Sequence, residues 1–164
     1  MTLEARIQIL QDHFGESAIV SVDLEAKQPG ITVAVDRLLE VCRFLQLDER
    51  FYMDFLNCLS GVDLGEKENR MEVVYHLTSI TEDFSLVMRV SLPRDLEEKP
   101  TVPSVAGIWR AADWHEREAY DLLGIVFEGH PDPRRILMPE DWPGHPLRKD
   151  YQNPDSYHDI KVEY

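Results

Sequence analysis

The chain is poor in cysteine: two in 164 residues, Cys42 and Cys58, with no Cys-x-x-Cys and no Cys/His spacing around either. That is too little sulfur for a zinc or iron–sulfur site, and buried free thiols are the expectation for both. Positive charge is also scarce. Against 31 Asp and Glu there are 17 Lys and Arg, a formal net charge of −14. Phosphate recognition needs Lys and Arg to neutralise the backbone, so nucleic acid is excluded as a direct partner, and adhesion to an anionic bilayer is disfavoured. The acids occur as pairs (Asp48-Glu49, Glu82-Asp83, Glu97-Glu98, Glu140-Asp141), which describes an acidic surface and not an acidic tail. No uncharged run approaches the roughly 20 apolar residues of a membrane-spanning helix. The opening Met1-Thr2-Leu3-Glu4-Ala5-Arg6 has an early acid and no apolar core, so the chain is expected to stay in the compartment that makes it. Gly-x-Gly-x-x-Gly, Gly-x-x-x-x-Gly-Lys-Ser/Thr and Gly-x-Ser-x-Gly are all absent, which removes the usual signatures of nucleotide cradles and nucleophile elbows.

What is present suits one domain. A 19.1 kDa chain with 43% hydrophobic residues can fill one core but not two. Leu3, Ile7, Leu10 and Phe14 recur at helical spacing before Gly15. Residues 18–22 and 31–35 are β-branched strands around a Gln28-Pro29-Gly30 turn, and Asp36 is placed to cap a helix carrying Leu38, Leu39, Val41, Cys42 and Leu45. Three more strands follow at 55–62, 71–80 and 84–92, the second with a partial alternation that predicts one covered and one partly wet face. Pro93 and the stretch from Leu96 to Pro103 form a polar connector, and 104–123 turns helical again. Six of the ten prolines lie beyond residue 130 and favour extended backbone there. The expected fold is therefore α+β: a core at 1–137 with a mostly antiparallel mixed sheet covered by helices, and an extended Pro-rich arm at 138–164.

The last helix carries the densest polar cluster. At 100° per residue Val105, Ile108, Trp109, Ala112, Ala119 and Leu123 share one arc, with Glu116 inside it and His115 at its edge. Arg110, Trp114, Arg117 and Asp121 share the opposite face. A helical zinc-protease motif fails, because Ala119 stands where His-Glu-x-x-His needs its second imidazole. His115, Glu118 and His130 remain a conceivable metal set for a small metal-dependent hydrolase, on non-diagnostic spacing. Glu116 on the apolar arc requires a partner, for which Arg134, Arg135 or another protein's arginine qualifies. Arg117 and Asp121, at i and i+4, read as a surface bridge. The tail sets Trp142, Tyr151, Tyr157 and Tyr164 among prolines and charges; it is suited to lie across a partner, with folding back on its own domain as the other reading.

The run from Glu116 to Leu137, Glu-Arg-Glu-Ala-Tyr-Asp-Leu-Leu-Gly-Ile-Val-Phe-Glu-Gly-His-Pro-Asp-Pro-Arg-Arg-Ile-Leu, resembles the signature of the C subunit of proton-translocating NADH-quinone oxidoreductase, respiratory complex I. Pro146-Leu147-Arg148-Lys149-Asp150-Tyr151 resembles its second hallmark, and Pro133 departs from the leucine of many relatives. The resemblance implies a non-catalytic subunit of the peripheral arm, with FMN and iron–sulfur clusters on other subunits and none on this chain. It implies packing on the D subunit, which with the B subunit forms the quinone pocket, at the cytoplasmic face of the bacterial inner membrane. Related membrane-bound hydrogenases and ferredoxin-linked quinone complexes use the same family. The residues expected to form an interface or a structural lock are Glu116, Arg117, Glu118, Asp121, His130, Arg134, Arg135, Trp142, Arg148, Lys149, Asp150 and Tyr151.

Overall fold

A computed structural model describes residues 1–94 and 99–161. Leu96, Glu97 and Glu98 of the expected connector, and Tyr164 of the tail, lie outside the described residues. The first helix, α1 (Leu3–Phe14), is capped by Thr2, whose hydroxyl accepts the Ala5 N–H at 3.3 Å, and it buries Ile7, Leu10 and Phe14. Strands β1 (Ile19–Asp23) and β2 (Gly30–Val33) pair antiparallel. The next helix, α2 (Leu38–Leu47), buries Leu38, Val41, Cys42 and Leu45. Its expected cap does not form: Asp36 sits inside a 3-10 turn, Val35–Arg37, and no side chain bonds the first amides of α2.

Strands β3 (Phe55–Asp63), β4 (Arg70–Ser79) and β5 (Phe84–Pro93) complete a five-stranded sheet of order β1-β2-β5-β4-β3. Only the β2–β5 contact is parallel, so the mixed, mostly antiparallel sheet of an α+β fold is present as expected. In β4 the side chains of Met71, Val73, Tyr75 and Leu77 are buried while those between them are half-buried, the register of a sheet with one covered face. That face joins the buried sides of the helices in one continuous apolar cluster. Cys42 lies within it, but Cys58 on β3 is only half-buried, its sulfur 3.2 Å from the Ser60 hydroxyl; the edge strand leaves it partly open.

Beyond the sheet the chain departs further from periodicity. Thr101–Pro103, read as connector, is a strand (β6) pairing in parallel with β7 (Val126–Glu128). The helix α3 (Ala112–Leu123) begins eight residues after the expected start at residue 104. Residues 105–111 form successive turns, with Ile108 and Trp109 both donating to the Val105 carbonyl. Bonds to the rest of the chain hold them there: the segment's own Trp109 indole donates to the Met53 carbonyl at 2.8 Å, and Gln46 donates to that of Ile108 at 2.7 Å. Val105, Trp109 and Ala112 are buried all the same, so the arc marks burial without marking helix. Two short strands, β8 (Ser156–Tyr157) and β9 (Ile160–Lys161), make a terminal hairpin. Among the described residues no helix is long and apolar enough to cross a membrane.

Candidate functional site

The polar residues of α3 meet the segment that follows it, and the meeting point is Asp121. Helical phase places Asp121 on the wet face, yet it is fully buried. One carboxylate oxygen accepts the amides of Ile136, Leu137 and Met138 at 3.0, 2.7 and 2.8 Å, and the other lies 3.3 Å from the Arg135 guanidinium. Arg117 does not bridge to Asp121 as the i, i+4 spacing suggested. Its guanidinium donates to the carbonyls of Arg134 and Arg135, each at 3.1 Å, because the loop folds over that helix face and offers acceptors nearer than the carboxylate. Arg117 and Asp121 thus grip one stretch of backbone from opposite polarity, the cation on carbonyls and the anion on amides.

Glu116 is buried on the apolar arc, and its partners are local. Its carboxylate accepts the Ser104 hydroxyl at 2.5 Å and the Val105 amide at 2.7 Å, so neither Arg134 nor Arg135 supplies its partner as expected. Burial pushes its pKa above the ordinary carboxyl value, with those two donors pulling the other way. His130 Nδ1 accepts the Asp132 amide at 2.9 Å, which leaves the ring proton on Nε2, 3.0 Å from the Asp113 carbonyl. Arg134 is exposed and forks onto Asp132 at 2.6 and 2.7 Å.

His115, Glu118 and His130 are not brought together. His115 Nδ1 accepts the Leu59 amide of β3, and Glu118 is exposed at the mouth of the same α3–β3 groove. His130 instead lines a separate cavity of about 260 Å³ with Glu116 and Tyr120. The i, i+3 phase that unites the first two turns both away from the loop holding the third, and no group of His, Cys, Asp and Glu able to hold a metal occurs among the described residues.

The remaining expected residues form a second grip at the end of the sheet. Asp63 ends β3 almost fully buried and pairs with Arg94 at 2.7 Å. The same carboxylate accepts the amides of Gly65 and Lys149, both at 2.8 Å, while Asp150 reaches Arg94 at 3.0 Å. Burial acts to raise the pKa of Asp63, but Arg94 and the two amides outweigh it and hold the group below its usual value. Between the grips, His145 donates from Nδ1 to the Asp121 carbonyl at 2.9 Å, and the Leu147 amide donates to the Leu122 carbonyl at 2.9 Å. Burial, reinforced by the charges of Arg135 and Arg148, pushes the His145 pKa down. Gly124 admits this ring: it ends α3 at φ +77°, and a Cβ there would stand 2.7 Å from the imidazole. Tyr151 receives the Trp142 indole N–H at 2.9 Å, and Trp142 packs on Tyr157 with ring centres 4.9 Å apart. Residues 134–151 are thus a strap laid on this chain's own domain, the fold-back alternative for that part of the tail.

Asp63, Arg94, Ser104, Gly124 and His145 were not among the candidates. Asp63-Leu64-Gly65 carries the signal of an Asx-turn, which the Gly65 bond realises, and Gly124 after a helical run signals a C-terminal cap. Ser104 caps its own turn by accepting the Ala106 amide at 3.2 Å, while no local signal marks Arg94 or His145, whose side-chain partners lie far along the chain.

Comparison with known proteins relates the chain as a whole to one family. The model of the respiratory-chain NADH dehydrogenase 30 kDa subunit matches residues 31–157. The C subunit of NADH-quinone oxidoreductase from Chloroherpeton thalassium is 47% identical over 98% of this chain and 65% of its own length. Its counterpart from Chlorobium phaeobacteroides is 40% identical over 98% of this chain and 95% of its own. This chain therefore spans just under two thirds of the first relative and nearly all of the second. Among solved structures, a trypsin-resistant fragment of Nqo5 superposes with a TM-score of 0.60 at 28% identity, covering 77% of this chain and 98% of the fragment. A chain of a membrane-bound sulfane sulfur reductase, an archaeal respiratory membrane complex, superposes at 0.74 with 24% identity, covering 91% and 85%, and shares the fold.

Proposed function

This chain belongs to the respiratory-chain NADH dehydrogenase 30 kDa subunit family, the C subunits of NADH-quinone oxidoreductase, and from that premise we propose that it is a non-catalytic scaffold. It sits in the peripheral arm and supports the quinone-reducing module through the D subunit, with the B subunit and other peripheral-arm subunits as further neighbours. FMN and iron–sulfur clusters belong to those other subunits, and the chain reaches the cytoplasmic face of the bacterial membrane through the complex. Division into a core at 1–137 and an arm at 138–164 is part of this reading: the core supplies a rigid face and the arm shapes the surface that a neighbour covers.

One observation carries it. Arg117, Asp121, His130, Asp63 and Arg94, the groups that look most like chemistry, are engaged with this chain's own backbone and with one another. Such an arrangement holds a loop in one shape; it does not hold a reactive group toward a bound molecule. The acidity fits the same role, since an excess of negative charge steers association with basic patches on neighbouring subunits.

A tagged chain purified from its own membranes tests the reading. Large subunits of an NADH-quinone oxidoreductase are expected to co-purify, and the chain alone is expected to turn over neither NADH nor quinone. Recovery as a free monomer that carries the turnover itself would refute it.

A further inference from the structure

Pro131 and Pro133 carry no N–H, so the Asp132 amide is the one main-chain donor between His130 and Arg134. It goes to the His130 ring, where Nδ1 accepts it at 2.9 Å. That bond needs an unprotonated Nδ1, and therefore a neutral imidazole. The other ring nitrogen faces negative charge: Nε2 donates to the Asp113 carbonyl at 3.0 Å, with the Asp113 carboxylate 3.3 Å and the Glu116 carboxylate 3.8 Å away. The ring is thus set between an amide that needs it neutral and two acids that favour it charged. His115 also accepts an amide, that of Leu59, but it forms no ion pair among the described residues.

We propose that His130 is a proton-operated latch: its neutral ring holds the 131–133 corner through the Asp132 amide, and its protonated ring lets that corner go while staying between Asp113 and Glu116. The device goes beyond the scaffold reading and needs no partner. A second proton on the ring sets two donors face to face, Nδ1–H against the Asp132 N–H, and strands the amide. Burial opposes a charge on the ring, and Arg117 and Lys99, which line the same cavity of about 260 Å³, oppose it too. Arg117 is turned to the Asp132 carboxylate at 3.6 Å and Arg134 forks onto it, so the charges nearest Nε2 are those of Asp113 and Glu116. The coupling is mutual: burial raises the Glu116 pKa, the Ser104 and Val105 donors lower it, and the charge of His130 lowers it further. Tyr120, Phe127 and Pro133 wall the cavity, which gives the freed corner room. Arg117 and Asp121 still hold the backbone from Arg134 onward, so the release ends there. The corner carries the Asp132 carboxylate and its fork with Arg134, and its release alters the charge shown on that side of α3.

The test follows the isotope-labelled full chain by NMR from about pH 8 to about pH 5, the range in which histidine changes charge. Two quantities are read: the state of the His130 ring nitrogens, and the exchange protection of the Asp132 amide corrected for the intrinsic pH dependence of exchange. In the wild type, Nδ1 is expected to be unprotonated at the upper end, and charging of the ring to coincide with a loss of about tenfold in Asp132 protection. His130→Asn offers a side-chain carbonyl to the same amide in an Asx-turn and does not titrate, so protection should hold across the range. Asp113→Asn removes one acid from the ring and should move the step to lower pH. A ring that stays neutral throughout overturns the proposal, as does a ring that charges while Asp132 protection is unchanged. A step that persists in His130→Asn assigns it to another group, Asp132 or Glu116, and a step that Asp113→Asn leaves in place removes the acids from the device; either result overturns it. If His130→Asn does not fold, agreement or disagreement of the two wild-type curves decides the matter alone.

Discussion

The five-stranded half of this molecule and the strap that follows α3 are held together by different forces. In β4 and β5, alternate side chains such as Met71, Val73, Leu77 and Leu86 enter one apolar cluster, and no single contact dominates. Along residues 134–151 the exposed residues include Leu137 and Leu147, at 62% and 60% exposure, and position comes from a few buried charges that grip backbone. Hydrophobic burial is non-directional and tolerates repacking, whereas a carboxylate that accepts three successive amides admits one loop geometry. A protein that must present a defined surface gains from the second kind of order, and a domain that must fold unaided gains from the first.

The sharpest way to break this contrast is a pair of truncations. Asp121→Ala strands three amides and the Arg135 guanidinium, an expected loss of about 3–5 kcal/mol confined to the strap. Leu77→Ala leaves a void in the core, an expected loss of about 2–5 kcal/mol in global stability. Amide hydrogen exchange separates the two: the first variant should lose protection from Ile136 to Tyr151 while β4 and β5 keep theirs, and the second should lose it everywhere. Equal loss across both regions in Asp121→Ala would show one cooperative unit and end the distinction.

The same difference explains what could be read without coordinates. Leu3 to Phe14 and the strands at β3, β4 and β5 were legible because apolar spacing reports directly on burial, and burial holds those elements. The order that places β2 beside β5 was not legible, since it joins segments far apart in the chain. Within the polar cluster of α3 the pairing was misread. Asp121 looked solvated because helical phase knows nothing of a loop that returns over the helix, and the onset of α3 was placed too early because Val105 and Trp109 are buried without being helical. Arg94 and His145 carried no local mark at all, as their partners are Asp63 and the Asp121 carbonyl.

Gly124 offers a middle-sized effect at the joint between the two regions. Alanine there must adopt φ near +77° and must displace the His145 ring, together an expected cost of about 1–3 kcal/mol. Denaturant unfolding of Gly124→Ala, His145→Ala and the double variant sharpens the assignment. If the ring contact carries part of the cost, Gly124→Ala will be milder in the His145→Ala background; identical costs in both backgrounds would leave only the backbone penalty.

The smallest effect concerns pH, and it should divide the regions once more. The folded-state pKa of His145 is depressed, so its contribution is intact above the ordinary histidine value of about 6.5 and is lost as pH falls through the folded value. Asp63 is also depressed: its contribution is present above about pH 4 and is lost at lower pH still. Glu116 has the opposite sign, because its folded pKa is raised and its contribution diminishes as pH rises through that value. Exchange protection in the strap should therefore weaken in two steps on acidification, the upper one from His145 and the lower one from Asp63, with β4 unaffected by the upper step. His145→Asn keeps a donor near the Asp121 carbonyl but does not titrate in this range, so it should abolish the upper step alone. Persistence of that step in the Asn variant would mean that another group, and not the ring seated against Gly124, loosens the strap.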